Sequence, residues 1–576
     1  MASSTPAALT PGQRLWRLLG SERRHIAYLY VYAALTGLVS LTLPLGVQSV
    51  IGFVSSGAVS TSLVVLVGFI VAGTLLVGGL QVMQVYLVEF MQQRLFARLA
   101  LDFAVRLPRV RTEALGGQYL PELMNRLLDV PTLQKGLATL LVEVSAAALQ
   151  ILFGLLLLSF YHPLFIVFGL VLLALLALLL RLTSPRGLRT SLAESHYKYR
   201  VVAWLEDVAR TVHTFRHPPQ QGLALRRTDD LVEGYLAARQ SHFRVLLAQY
   251  WGFVIFKTLI TAGLLSLGCW LLLSKQLNIG QFVAAEIVIL LVINAVEKVL
   301  LKLDVVYDAL TALDKIGHVL DLPVLPSAPA SGTLASDGPG LAVALHGFSY
   351  AYPAATKPAV QSLTLAIGAG EHVGLTGFDG SGKTSLLRVL AGLLDGFTGV
   401  VAYDGQALQD LPAAALGRAV GDNMSHQQLF EGTLLENLTL DQPDLGPDNV
   451  AWALDLVGLR DDVYARPLGL RTPLGVSAPL TDSTRQKLLL ARALVRRPRL
   501  LLLDGLLPGV EPAERHRILD RLLAPAHPWT VVLASSDPRV LARCPRLLVL
   551  REGQLVADGP YAQVVRQPEL RALLAD

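Results

Sequence analysis

Residues 377–385 read Gly-Phe-Asp-Gly-Ser-Gly-Lys-Thr-Ser, with the spacing G-x-x-x-x-G-K-T. A loop of this kind is suited to holding phosphate. Gly377, Gly380 and Gly382 let main-chain N–H groups turn inward around phosphate oxygens, with Ser381 and Ser385 in the same cradle. Lys383 would reach the outer phosphates, and the Thr384 hydroxyl is placed to ligate Mg²⁺. Asp504 ends the apolar run Leu500–Leu503 and would hold the same Mg²⁺. An apolar strand ending in Asp is a weak signal alone. It gains meaning from the lysine loop.

Three elements must position these groups. A strand is predicted before Gly377, a helix from about Lys383, and a second strand ending at Asp504. The helix adds the positive end of its dipole to the loop. The competing reading of the loop is a glycine turn with no ligand. These elements lie in the last of three stretches: residues 1–322, an apolar helical domain; 323–340, a linker rich in Pro, Ser, Ala and Gly; and 341–576, an α/β domain of short aliphatic strands and amphipathic helices.

The first stretch is defined by absent charge. Ile26–Val88 has no Asp, Glu, Lys or Arg in 63 residues, and Val144–Leu180 has none in 37. Val245–Leu273 holds only Lys257, and Gln276–Val296 only Glu286. A helix needs about 20 apolar residues to cross roughly 30 Å of hydrocarbon. Six spans follow, near 26–54, 62–90, 138–160, 163–182, 245–273 and 279–301, with helices two to five extended beyond the bilayer. The breaks at 55–61, 161–163 and 274–278 carry one basic residue, Lys275, whereas 181–244 carries eleven. By the positive-inside rule, both termini and both long loops are cytoplasmic. The first block is too long for a signal peptide. Leu15–Leu19 is either an interfacial helix or a frayed terminus.

Over the whole chain, 16% of residues are charged, with 49 Lys and Arg against 44 Asp and Glu. That small surplus argues against a nucleic-acid partner. Two cysteines, Cys269 and Cys544, make no disulfide framework. In the sixth span Glu286, Asn294 and Glu297 share one helical face. They form either a polar translocation surface or, through a Lys257–Glu286 pair, a packing contact.

Six spans with long inner loops, followed by this phosphate-binding domain, resemble an ABC exporter half-transporter, nearest in look to bacterial type I secretion and peptide exporters. Further stretches carry the resemblance. Phe348–Pro353 is similar to the start of the nucleotide-binding domain, Leu429–Leu438 to the stretch after the Q-loop, and Arg485–Leu494 to the helix after the signature motif. Asn125–Asp129 and Thr211–Phe215 are similar to the two coupling loops. The resemblance implies a six-span α-helical domain followed by an α/β P-loop domain, ATP and Mg²⁺ as cofactors, and Tyr352 stacked on adenine. It also implies a homo- or heterodimer with another half-transporter, contact with membrane lipid, and a bacterial inner-membrane location. A periplasmic adaptor accompanies many such systems. The chain ahead of Ile26 is too short for a cysteine-peptidase domain, so leader cleavage is not expected.

Against this family pattern several positions are emptied. The catalytic Glu after Asp504 is replaced by Gly505. The Q-loop Gln falls at Ser425, beside Gln427 and Gln428, and the switch His at Ser536. Losing such a group costs about 10²–10⁴-fold in rate. The signature motif reads Leu480-Thr481-Asp482-Ser483-Thr484. Asp482 would bring a carboxylate toward a partner's ATP, while Ser483–Gln486 fits a capping box, with Thr481 or Asp482 as other caps. Two readings follow. One is an ATP-binding and permease subunit exporting a peptide, protein or lipophilic compound, its hydrolysis weak or partner-dependent. The other is a non-hydrolysing ATP-sensing scaffold of a membrane complex.

Overall fold

The computed structural model describes residues 10–55, 61–111, 120–216, 218–325, 332, 334, 338–353, 355–424, 428–475 and 480–567. It divides into two compact units, one of residues 1–110 and 117–323 and the other of residues 111–116 and 324–576.

The first unit is helical: α1 (Pro11–Ser21), α2 (Arg23–Ser40), α3 (Thr42–Ser55), α4 (Thr61–Arg106), α5 (Leu120–Met124), α6 (Val130–Ala138), α7 (Ser145–Tyr161), α8 (Leu164–Arg210), α9 (Pro218–Leu273), α10 (Ile279–Leu301) and α11 (Leu303–Leu320). Six helical stretches among the described residues are long and apolar enough to cross a membrane: Arg23–Val54, Thr61–Arg109, Glu122–Tyr161, Leu164–Arg210, Gln221–Leu273 and Ile279–Leu320. These are the six predicted spans, lengthened. Helices α4, α8 and α9 run 46, 47 and 56 residues, about twice or more what a bilayer requires. Only 6% of the apolar window of Thr61–Arg109 is buried within the chain. Val64, Phe69, Leu75 and Val85 point outward, so the unit needs a hydrocarbon solvent or a partner to cover them.

The first span is not one continuous helix. Pro44 has no N–H to offer the Ser40 carbonyl, and its ring crowds that carbonyl. The ladder therefore breaks between α2 and α3, where the Leu41 N–H turns to Leu38 and Val39. Leu15–Leu19 lies within a regular helix, capped by Thr10 with Gln13 in a reciprocal box. Arg14 pins α1 to the end of α11 through Asp321 at 2.8 Å. It passes over Gly317, where any side chain would collide with the guanidinium. Lys257 and Glu286 form no ion pair with each other among the described residues. The buried side of α10 is instead apolar, from Ala284 to Leu300.

The second unit carries two main sheets. One is antiparallel, in the order β2-β1-β4-β5, from β1 (Val343–Tyr350), β2 (Val360–Ile367), β4 (Thr398–Tyr403) and β5 (Gln406–Ala407). The other has the order β12-β11-β3-β10-β9-β6, from β3 (His372–Thr376), β6 (Val420–Asp422), β9 (Leu500–Asp504), β10 (Thr530–Ala534), β11 (Arg546–Arg551) and β12 (Gln554–Pro560). Strands β11, β3, β10, β9 and β6 are parallel. Their near-continuous aliphatic sequences suit a sheet buried on both faces. The short antiparallel pair of β7 (Gly432–Thr433) and β8 (Pro473–Leu474) forms a separate two-stranded sheet.

Candidate functional site

Strand register brings the site together. Ala534 of β10 lies opposite Leu375 of β3 on one side and Asp504 of β9 on the other. The chain leaves all three strands at one edge of the sheet, where parallel α/β sheets place their ligands. From β3 it enters the glycine loop and then α12 (Lys383–Leu390).

Gly380 and Gly382 adopt φ of 76° and 98°, a region that side chains disfavour. A Cβ on Gly382, the cap of α12, would also strike the Ala359 carbonyl. Lys383 folds back over the loop, its Nζ donating to the carbonyls of Gly377 at 2.6 Å and Phe378 at 2.9 Å. Partial burial lowers the pKa of its ammonium, against the opposing pull of Asp379 and Asp504. Thr384 Oγ1 donates to Asp504 Oδ2 at 2.7 Å. A hydroxyl and a carboxylate thus converge beside a lysine and a helix N-terminus, a donor set that fits a divalent cation carrying a polyphosphate. The Tyr352 hydroxyl lies 3.1 Å from Ser385 Oγ, and its ring packs edge-on against Tyr350 while staying partly exposed. Gly377, Gly380, Ser381, Gly382, Lys383, Thr384, Ser385, Tyr352 and Asp504 therefore all belong to one locus.

Gly505 and Ser536, two of the positions that lack the family residues, follow β9 and β10 at the same edge. Gly505 has φ 70°, and no atom lies within 4 Å of where its Cβ would be. Its N–H donates to Ala534. Ser536 is exposed just past β10. Ser425 and Gln427 lie outside the described residues. At the signature position, the helix Asp482–Leu494 is capped by Thr481, which accepts from the Thr484 N–H at 3.2 Å. This corrects the Ser483–Gln486 capping box, because Ser483 falls inside the helix. Asp482 is the first helical residue, exposed and paired with Arg485 at 2.6 Å. A carboxylate there suits the helix dipole.

Sequence reasoning missed two positioning groups. Asn423, just past β6, accepts from the Asp504 N–H at 2.9 Å and donates to the Gly505 carbonyl at 2.9 Å. It holds the peptide groups on either side of the Asp504–Gly505 pair. Its only advance signal was its place at the end of a short strand. The other is Arg492, buried on the helix Asp482–Leu494. It donates to the Asn437 carbonyl at 2.6 Å, to Asn437 Oδ1 at 2.7 Å and to the Gln428 carbonyl at 3.0 Å. Asn437 Nδ2 in turn donates to the carbonyls of Phe430 and Thr433. This network ties the stretch after Ser425 to the signature helix.

Two family models match the chain: "ABC transporter transmembrane region" over residues 26–296 and "ABC transporter" over 360–506. The mycobactin import ATP-binding/permease protein IrtB of Mycolicibacterium thermoresistibile is 26% identical over 60% of this chain and 61% of its own length. The type I secretion system ATP-binding protein PrsD of Rhizobium meliloti is 26% identical over 59% of this chain and 56% of its own. The ATP-dependent lipid A-core flippase of Burkholderia orbicola is 29% identical over 52% and 50%. The chain thus spans about half to three fifths of these relatives. A solved structure of a bacterial Atm1-family ABC exporter with ATP bound superposes with a TM-score of 0.85, covering 96% of this chain and 98% of its own, at 17% identity.

Proposed function

The chain belongs to the ABC transporter family, as a multi-pass integral membrane protein with transmembrane and ATP-binding domains fused, and from that premise we propose that it is an exporter half-transporter with impaired turnover. It works as a dimer, with another copy or with a related half-transporter. Its helical domain spans residues 1–322, a linker 323–340 and its nucleotide-binding domain 341–576. ATP is held by Gly377–Ser385, with Tyr352 against the adenine, and Mg²⁺ by Thr384 and Asp504. The termini and the nucleotide-binding domain face the cytoplasm of a bacterial cell, because arginine and lysine crowd the long loops and shun the short breaks. The polar face of Glu286, Asn294 and Glu297 serves the translocation path, since Glu286 is not neutralised by Lys257.

One observation carries this reading. Lys383, Thr384 and Asp504 keep the geometry needed to bind, while Gly505 and Ser536 offer neither base nor imidazole. When bound, Mg²⁺ would neutralise developing phosphate charge. The residues of this chain then hold and orient the nucleotide but do not activate water. The relatives' names include one for import as well as secretion and flipping, so direction belongs to the test. The purified full chain, reconstituted in vesicles with and without co-purifying membrane subunits, is assayed for ATP binding, phosphate release and substrate movement. Binding with little turnover alone, and turnover or outward transport with a partner, is the expected result. Robust turnover alone would overturn the impaired-site reading. Binding without turnover or transport in any complex would favour the scaffold.

A further inference from the structure

An apolar cavity of about 130 Å³ lies beneath α1, lined by Leu18, Leu19, Val88, Met91, Leu95 and Leu137. Glu22, Arg94 and Arg98 also line it. Its depth in the bilayer can be read from the sequence. The uncharged block Ile26–Val88 leaves this level through α2 and returns to it through α4, with Arg23 and Arg24 before it and Glu89, Arg94 and Arg98 after it. The cavity therefore sits where hydrocarbon gives way to headgroups. On α1 the Trp16 side chain is 77% exposed, as befits an indole lying in the interface rather than in a core.

The charge on the neighbouring turns of α1, α2 and α4 is unbalanced. Arg17, Arg23, Arg24, Arg94 and Arg98 stand against Glu22, Glu89 and Asp102. Arg94 reaches Glu22 only at 3.8 Å, and Glu22 also takes His25 at 3.0 Å. Arg98 reaches Asp102 at 3.9 Å. Both arginines are more than half exposed. Such exposed, long pairs contribute little and yield readily to a phosphodiester, which an arginine fork can grip with two bonds. The volume is on the order of the apolar cavities that admit a benzene-sized group. It takes a segment of one acyl chain, with the rest of the lipid lying along the open side.

We propose that this cavity is a binding site for one anionic glycerophospholipid, an acyl segment against Val88, Met91 and Leu137 and the phosphodiester against Arg94 and Arg98. The bound lipid would fasten α1, and through Arg14 and Asp321 the end of α11, to the membrane surface. The test uses the full chain in detergent, stripped of lipid and then titrated with phosphatidylglycerol or phosphatidylcholine of matched chains, read by native mass spectrometry. Phosphatidylglycerol is expected to bind one tight site. The double variant Arg94→Gln with Arg98→Gln should weaken it by about tenfold or more and leave phosphatidylcholine unchanged. Met91→Trp, which fills the cavity and keeps both arginines, should abolish the tight site. Equal binding of the two lipids, or unaltered phosphatidylglycerol binding in the arginine variant, would overturn the proposal. Because the arginines are exposed, their variant decides the matter even if Met91→Trp fails to fold. The result is independent of transport direction and turnover, so its failure would leave the exporter reading standing.

Discussion

At the scale of single residues, the proposed function assigns binding to Lys383 and the loss of turnover to Gly505. The Lys383 ammonium now satisfies loop carbonyls, which it can exchange for phosphate oxygens without a large rearrangement. Lys383→Ala removes a charged hydrogen bond worth about 1.5–3 kcal/mol. ATP affinity, measured by titration calorimetry on the full chain, should fall by about 10- to 100-fold. An unchanged affinity would refute the phosphate-site assignment. Gly505 raises a different question, since the space beside it is open. A Cβ meets no atom within 4 Å there, so the main cost is that of a left-handed backbone, roughly 1 kcal/mol. Gly505→Glu should therefore fold with a slightly lower unfolding temperature and release phosphate about tenfold faster or more, short of the full 10²–10⁴-fold worth of a positioned base. No gain would mean that Ser536 or the signature loop limits the rate.

At the scale of elements, the network around Arg492 shows what the sequence could and could not reveal. Uncharged blocks made six spans legible, because charge in hydrocarbon is costly and the signal is additive over many residues. The glycine loop was legible because its spacing is tied to one geometry. Two things were not. The break at Leu41 needed the consequence of a single proline inside an otherwise apolar run. The cap of the signature helix needed a choice among Thr481, Asp482 and Ser483, all competent caps, which only the tertiary position of the helix settles. Arg492 and Asn437 were visible as family-like letters, but their contact joins residues 55 apart. Arg492→Ala would leave the Asn437 and Gln428 carbonyls without their donor at a cost of about 2–4 kcal/mol. Hydrogen exchange in residues 428–440 should speed up by about 30-fold or more while β3 and β10 stay protected. Arg492→Lys should not rescue it, since one ammonium cannot span the same three acceptors. Unchanged exchange would remove the network from the account.

At the scale of the whole molecule, the open question is which site of a dimer consumes ATP. The family resemblance places each nucleotide between the phosphate loop of one chain and the signature of the other. In a homodimer neither site then has a base. With a competent partner, the site built on the partner's own loop and Glu gains a base but faces Asp482 of this chain. Like charges at about 4 Å repel by roughly 4 kcal/mol at an effective dielectric of 20, and the Arg485 pair 2.6 Å away offsets part of that. Two substitutions in the intact complex separate the sites. Lys383→Ala here should leave steady-state turnover within about threefold if, as proposed, this chain's own site is the idle one. Asp482→Gly here should raise turnover at the partner's site by about tenfold, the share of that roughly 4 kcal/mol left after Mg²⁺ and Arg485 offset the rest. The Thr481 cap is retained, so the helix start survives the change. Phosphate release from the co-purified complex measures both. If Lys383→Ala abolishes turnover and Asp482→Gly leaves it unmoved, the active site is the one built on this chain. A residue other than Gly505 would then have to position the water.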